Sequence, residues 1–197
     1  MDSSFNEYLE DIQKTKTELD SQIKEYEARQ NAIIEQFKRA EEMKVQRNYY
    51  RIQVSDADKR DIQKLKMLAQ EFGKPQAIYK LIYEVYYKAK LEELFKRILA
   101  ENKDKGGIYK ITNINNEKVY IGRCVKFLDR WRTHSKRGCN IDRISGQLYD
   151  AMWEEGLDSF TWEIVEVCAK EEQAAKEKYW VEFYNAQAYG YNAKGGG

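Results

Sequence analysis

The sequence is poor in several residue types, and each shortage limits what the protein can be. Its 197 residues include one proline, one histidine and three cysteines, none of them in a CxxC pair. Such cysteines fit neither a disulfide framework nor a structural zinc site, so reduced thiols of a cytoplasmic protein are the simplest interpretation. No stretch approaches the roughly 20 apolar residues of a membrane helix, and the first residues do not resemble a signal peptide. We therefore expect neither export nor membrane insertion.

Charged residues are abundant and almost balanced, with 34 lysines and arginines against 33 aspartates and glutamates. A net charge of +1 argues against a protein that coats nucleic acid through its overall charge. The distribution is uneven, since residues 118–143 hold eight basic and two acidic side chains. Composition and periodicity change twice along the chain. This predicts three parts: a helix over 1–48, a helical connector over 49–105 and a domain over 106–197.

The first part has the apolar repeat of a coiled coil. Residues spaced alternately four and three apart from Phe5 to Lys44 are mostly apolar, and no glycine or proline interrupts them. This predicts a homo-oligomer, such as a dimer, held together through residues 5–44. Lys16, Gln30 and Lys44 make one row of the seam partly polar, which weakens the coil and selects its register or partner number. A single helix lying on the rest of the protein is the alternative.

In the second part, the capping residues and the apolar pattern predict a hairpin of two helices. Ser55 is placed to cap the first helix, which has an acidic first turn and is predicted to end at Gly73. The second helix is predicted over 76–101. The residues expected to face inward are Ile62, Leu65, Ala69 and Phe72 in the first helix and Ile78, Ile82, Val85, Ala89, Leu94 and Ile98 in the second.

This hairpin superficially resembles a helix-turn-helix DNA reader. Lys74 and Pro75 occupy the turn where an apolar residue usually directs the chain inward, so a packed helical spacer is favoured over a DNA reader. Four tyrosines at helical spacing follow, and this spacing is more typical of packing than of stacking on bases. They are Tyr79, Tyr83, Tyr86 and Tyr87.

The third part contains two short motifs, Gly107-Ile108-Tyr109 and Tyr120-Ile121-Gly122, separated by ten residues. Their β-branched and aromatic residues, with Asn115-Asn116 between them, predict a β-hairpin. The pair resembles the signature of the GIY-YIG nuclease family. Further segments of that family's pattern follow in order: a helix at 127–134, a second at 148–156, a strand at 160–167, a helix at 174–180 and the closing Tyr189-Gly190-Tyr191-Asn192.

The resemblance implies an α+β fold, with a small three-stranded antiparallel sheet flanked by helices. In this chain the sheet would be preceded by the helical hairpin and the long coiled-coil helix. The resemblance also implies a divalent-metal-dependent endonuclease that hydrolyses DNA. A non-catalytic nucleic-acid-binding or assembly protein is the alternative. The preference for DNA over RNA and the role in homing, restriction, phage defence or repair stay open.

Site residues are carried over from the family position by position. Glu177 is expected to hold Mg²⁺ or Mn²⁺, and Arg130 has the planar fork that suits phosphate. His134 lies four residues after Arg130, on the same helix face, and is expected to take part in catalysis by relaying a proton or contacting the phosphate. Tyr109 is expected to act as general base and Tyr120 to orient the water or phosphate. A phenol with a pKa near 10 needs cations to act as a base, and Arg123 is expected to supply that charge. The basic segment 118–143 is expected to contact the phosphate backbone through Arg123, Lys126, Arg132, Lys136 and Arg137, and the resemblance adds Asn192 as a substrate-binding residue.

Overall fold

The computed structural model describes residues 3–72, 75–142 and 144–192. The side chains of residues 3–11, 37, 40, 43 and 44 also lie outside this description. The predicted helix end at Gly73 and the basic Arg143 therefore fall outside the described residues. The chain divides into two compact units, one ending at Gln46 and one beginning at Arg47.

Helix α1, Ser3–Tyr49, runs without interruption through the described part of the first unit. The described apolar residues of the predicted seam are all about half exposed in the single chain. They are Ile12, Leu19, Ile23, Tyr26 and Ile33, with exposed fractions between 45% and 64%. A long helix with an exposed apolar row is what the coiled-coil pattern predicts, while the association itself stays a prediction.

Helix α2, Asp56–Glu71, begins as the sequence predicts. The Ser55 hydroxyl accepts a hydrogen bond from the backbone N–H of Asp58 at 3.1 Å, so the predicted N-cap is confirmed. Ile62 and Ala69 are buried as expected. Phe72 is 68% exposed, and its predicted inward orientation is wrong, since the helix ends at Glu71 and Phe72 leaves the helical row.

The second helix of the hairpin is not one continuous α-helix. Helix α3, Pro75–Ile82, passes into a π-helical turn, Tyr83–Tyr87, and helix α4, Lys88–Leu99, follows. A π-helical turn contains more residues than an α-helical turn, so it rotates every following side chain around the axis.

The π-helical turn explains where the predicted inward face fails. Val85 and Ala89 are exposed, whereas Tyr83, Tyr87 and Leu91 are buried in their place. The prediction for Val85 and Ala89 is wrong because it assumes the α-helical period throughout. The packing role predicted for the tyrosines is confirmed for Tyr83 and Tyr87, which are 2% and 3% exposed.

Three antiparallel strands follow: β1, Gly107–Asn113, β2, Val119–Cys124, and β3, Phe160–Val167. Their order is β2-β1-β3, so β1 lies in the centre and β2 at one edge. The two motifs meet across the hairpin, with Tyr109 opposite Gly122. The predicted three-stranded antiparallel sheet is confirmed.

Helices cover both faces of this sheet. Helices α5, Phe127–Gly138, and α6, Gln147–Glu155, pack with α4 on one face, where the ring of Phe95 lies 5.3 Å from that of Trp131 and 5.1 Å from that of Trp162. Helix α7, Gln173–Phe183, lies on the other face. The helices of the predicted connector thus share a core with the sheet. None of the helices in the described ranges has an apolar stretch that would cross a bilayer.

Candidate active site

A cleft of about 1270 Å³ runs along the free edge of β2. Four parts of the chain form its walls: β2, the first turn of α6, one face of α7 and the segment after α7. The cleft is lined by Tyr120, Arg123, Tyr149, Glu177 and Asn192, among others. Four of these five come from the predicted site residues, and only Tyr149 does not.

Arg123 and Glu177 form an ion pair inside the cleft. The distance from Arg123 Nε to Glu177 Oε2 is 3.1 Å, and 24% of the Glu177 side chain is exposed. Burial raises the pKa of the Glu177 carboxyl, and the charge of Arg123 opposes that rise. Gln173 fixes the start of α7 against β2, because its buried side-chain amide donates to the Cys124 carbonyl at 2.9 Å.

The phenol of Tyr109 is completely buried behind the cleft. Its oxygen accepts a hydrogen bond from Arg130 Nε at 3.1 Å and lies 2.7 Å from His134 Nε2. Burial raises the pKa of Tyr109 well above its usual range, and Arg130 opposes the rise. The cation next to the phenol is therefore Arg130 and not Arg123, contrary to the prediction.

The role of general base, which the resemblance implies for Tyr109, does not suit this position. A base must reach the proton that it removes, and Tyr109 has no exposed surface. Tyr120 does line the cleft, beside the same Arg130. Burial raises the pKa of Tyr120 as well, and Arg130 again opposes the rise. The geometry favours Tyr120, not Tyr109, as the phenol that meets a substrate.

Gly122 allows the Tyr109 phenol to occupy its place. A Cβ at position 122 would lie 2.3 Å from the Tyr109 hydroxyl oxygen and 2.8 Å from a ring carbon of Tyr120. Both distances are far below van der Waals contact. The last residue of the second motif is thus a glycine because the tyrosine of the first motif passes directly over it.

His134 is fully buried between two phenols. Its Nε2 faces Tyr109, and its Nδ1 lies 2.9 Å from the Tyr149 hydroxyl. Burial lowers the pKa of His134 well below 6.5, and the charges of Arg130 and Arg137 lower it further. The imidazole is therefore neutral and holds one hydrogen bond on each nitrogen.

Sequence reasoning misses Tyr149. No motif includes it, and a tyrosine in the first turn of a helix carries no signal of its own. Arg137 lies beside its ring, with its guanidinium carbon 5.9 Å from the ring centroid and Nη1 3.4 Å from the hydroxyl. Only the packing of α6 against α5 brings Tyr149 to His134.

Most of the predicted substrate-binding cations lie away from the cleft. Arg132 donates two hydrogen bonds to the carboxylate of Glu92 on α4, at 2.7 and 2.5 Å. Lys126 and Lys136 are exposed but do not line the cleft, and Arg137 stands behind Tyr149. The pattern of positive charge along the sequence does not show which side of α5 each cation occupies. Two further lysines line the cleft: Lys118, the first residue of the basic segment, and Lys178, which is not among the predicted site residues.

Asn192 lines the cleft, but its amide is already bonded. Its Nδ2 donates to the Ile121 carbonyl at 2.7 Å, and its Oδ1 accepts from the Ile121 N–H at 2.9 Å. The contact that the structure shows is thus with the backbone of β2. Its place among the substrate-binding residues stays a prediction.

The donor atoms in the cleft suit a hard divalent cation. The described residues include no group of three histidines, cysteines or carboxylates that would hold zinc. Mg²⁺ is commonly held by one or two carboxylates, while waters and substrate phosphates supply the remaining ligands. The half-buried carboxylate of Glu177, in a wide cleft, fits that kind of coordination.

Comparison with known proteins gives concordant matches. The family model for the GIY-YIG catalytic domain matches residues 105–192. The intron-associated endonuclease 1 of Enterobacteria phage T4 is 33% identical over 93 residues, which are 45% of this chain and 36% of that protein. This chain thus spans about a third of the length of that curated relative.

Two solved structures also match the chain. A mutant catalytic domain of intron endonuclease I-TevI is 26% identical, with 47% of this chain and 97% of that one covered and a TM-score of 0.41. The catalytic domain of homing endonuclease I-TevI is 30% identical, with 45% and 98% covered and a TM-score of 0.40.

Proposed function

Residues 105–192 of this chain are a GIY-YIG catalytic domain, and from this premise we propose that the protein is a divalent-metal-dependent endonuclease acting on DNA. The observation that carries the proposal is the meeting of Tyr120, Arg123 and Glu177 in one cleft. Their chemistry is what phosphodiester hydrolysis requires: a proton acceptor, a permanent positive charge and a carboxylate for a cation.

Each of these groups has a distinct task. Tyr120 orients the attacking water and accepts its proton only as its own phenol proton leaves. Arg123 and Arg130 neutralise charge on the phosphoryl oxygens, since a guanidinium keeps further N–H donors after making one hydrogen bond. Arg130 also holds the phenol of Tyr109 and lies beside that of Tyr120.

Glu177 would hold Mg²⁺ or Mn²⁺, which when bound places positive charge beside the phosphoryl oxygens. The ion pair with Arg123 keeps the carboxylate ionised despite its partial burial. Burial raises the pKa of Glu177, so a proton competes with the cation more than at an ordinary glutamate, and we expect the metal requirement to increase as the pH falls.

DNA is the proposed substrate because the matching family model is that of the GIY-YIG catalytic domain and the curated relative is an intron-associated endonuclease. Lys118 and Lys178 in the cleft add positive charge for the phosphate backbone. A non-catalytic assembly protein is less well supported, because such a protein has no need to keep an ion-paired carboxylate and a phenol in one cleft.

We also propose that the chain associates through residues 5–44. The exposed apolar row of α1 supports this association, since an isolated helix gains nothing from a seam that faces water. Two copies would bring two clefts to one DNA molecule, which suits cleavage of both strands.

The test is cleavage of supercoiled plasmid by the full chain in Mg²⁺, Mn²⁺ or EDTA, with an RNA of similar length in parallel. We expect nicked and linear DNA with either metal and none in EDTA. Glu177→Gln removes the charge but keeps the shape, and we expect a loss of at least about 100-fold. Glu171→Gln, at an exposed position of the same charged segment, is the matched control and should retain activity. Intact DNA in both metals, or an active Glu177→Gln variant, would refute the proposal.

A further inference from the structure

Four side chains connect two points of the cleft through the protein interior. Tyr120 and Tyr149 line the cleft, whereas Tyr109 and His134 between them have no exposed surface. The hydroxyl of Tyr109 lies 2.7 Å from His134 Nε2, and the hydroxyl of Tyr149 lies 2.9 Å from His134 Nδ1. The remaining link, between Tyr109 and Tyr120, is a contact of neighbouring phenols beside Arg130, with ring centroids 6.2 Å apart.

Neither buried group is suited to act alone as an acid or a base. Burial disfavours the phenolate of Tyr109 and the imidazolium of His134. A chain of neutral groups avoids this cost, because each member accepts one proton as it donates another. A neutral imidazole, with one N–H and one free nitrogen, is suited to the middle of such a chain.

On the basis of the proposed function, we propose that Tyr149 is a further catalytic residue, which protonates the leaving oxygen through a relay running from Tyr120 by way of Tyr109 and His134. The two ends of the relay act on the two different oxygens of the same reaction. Tyr120 receives a proton where water attacks, and Tyr149 releases one where the ester oxygen departs.

The step is balanced in atoms and electrons. The water oxygen forms a bond to phosphorus, and the bond from phosphorus to the leaving oxygen breaks with its electron pair on that oxygen. One water proton passes to Tyr120, whose own proton moves to Tyr109, and the Tyr109 proton moves to His134 Nε2. The Nδ1 proton then moves to Tyr149, whose proton passes to the leaving oxygen. The second water proton stays on the phosphate, and all four side chains end neutral.

Arg137 supports the terminal position of Tyr149. Its guanidinium lies against the Tyr149 ring, with Nη1 3.4 Å from the hydroxyl oxygen. The Tyr149 side chain thus contacts both Arg137 and His134, and these contacts fix the position of its hydroxyl. This gives Arg137 a role toward the leaving group that does not depend on direct contact with DNA.

The experiment compares Tyr149→Phe with wild type on two duplexes. A cleavage site is first mapped with wild type, and a duplex is then made with sulfur in place of the leaving bridging oxygen, since a thiolate leaves without protonation. On the oxygen substrate we expect kcat of Tyr149→Phe to fall by about 100-fold, with KM within about twofold. On the sulfur substrate we expect kcat of Tyr149→Phe to be less than about tenfold below that of wild type.

Two further variants make the result specific. Tyr179→Phe, at an exposed tyrosine of α7 outside the cleft lining, is the matched control and should cleave both duplexes like wild type. His134→Gln keeps a polar group but breaks the relay. The double variant His134→Gln, Tyr149→Phe should therefore have the same kcat on the oxygen substrate as Tyr149→Phe alone. Equal losses on both substrates, or full activity of Tyr149→Phe on the oxygen substrate, overturn the relay. Failure of wild type to cleave any DNA would instead refute the proposed function.

Discussion

The side-chain amide of Asn192 satisfies both backbone polar groups of Ile121, with hydrogen bonds of 2.7 and 2.9 Å. One residue earlier, the N–H of Tyr191 donates to the Val119 carbonyl at 2.8 Å. These bonds attach the end of the described chain to the free edge of β2. The strand that carries Tyr120 and Arg123 is thereby held at its outer edge, where no other strand pairs with it.

Replacement of Asn192 by alanine should destabilise the protein by about 1–3 kcal/mol, because two partly buried backbone groups lose their partners. The free energy of unfolding from a urea titration measures this loss. Gln187→Ala, at an exposed residue of the same segment, is the control and should change stability by less than about 0.5 kcal/mol. Equal effects of the two substitutions would show that the amide pairing contributes nothing.

Gly122→Ala should disturb the two central tyrosines directly, because the added Cβ would lie 2.3 Å from the Tyr109 hydroxyl oxygen. The phenol would have to leave its position between Arg130 and His134, so we expect lower stability by about 1–3 kcal/mol and loss of nicking. Gly146→Ala is the control for stability, since its Cβ would meet nothing closer than 3.5 Å. A Gly122→Ala protein with wild-type stability would contradict the packing described for Tyr109.

Acid should destabilise the fold through His134. Its pKa is lowered in the folded state by burial and by two arginines, while the unfolded chain takes up a proton near pH 6.5. The unfolded state therefore binds more protons below pH 6.5, and the stability present above that pH is lost as the pH falls, by about 1.4 kcal/mol per unit at most.

The difference in unfolding free energy between wild type and His134→Gln isolates the contribution of His134, since other groups titrate equally in both proteins. In unfolding titrations between pH 7.5 and about 5.5, the free energy of unfolding should fall more steeply with decreasing pH for wild type than for His134→Gln. Parallel curves would mean that His134 is not held neutral in the fold.

The exposed seam of α1 predicts association of the full chain. The double substitution Ile12→Ser and Ile33→Ser should remove apolar contacts across the predicted seam and shift the chain toward monomer. Sedimentation over a range of concentrations measures this shift. The double substitution Gln22→Ser and Asn31→Ser, at exposed positions outside the seam, is the matched control and should leave the association unchanged. A wild-type chain that stays monomeric at high concentration would exclude the predicted oligomer.

Local signals in the sequence were sufficient for much of the fold. The cap at Ser55 and the hairpin strands β1 and β2 follow from short-range chemistry, and the strand β3 follows from the order of the family's segments. The π-helical turn at Tyr83–Tyr87 does not, because a periodic pattern contains no sign of where one extra residue enters a helix. Val85 and Ala89 are exposed, contrary to the prediction, for that reason.

By itself, the sequence determined the candidate residues, since the order and spacing of the family's motifs select Tyr120 and Glu177 and place Arg123 directly after the second motif. Only the tertiary structure decided how they are arranged. It buries Tyr109, turns Arg132 toward Glu92 and brings Tyr149 to His134. The physical reason is that spacing along a helix or strand fixes which side chains share a face, whereas burial and partners depend on elements packed from distant parts of the chain.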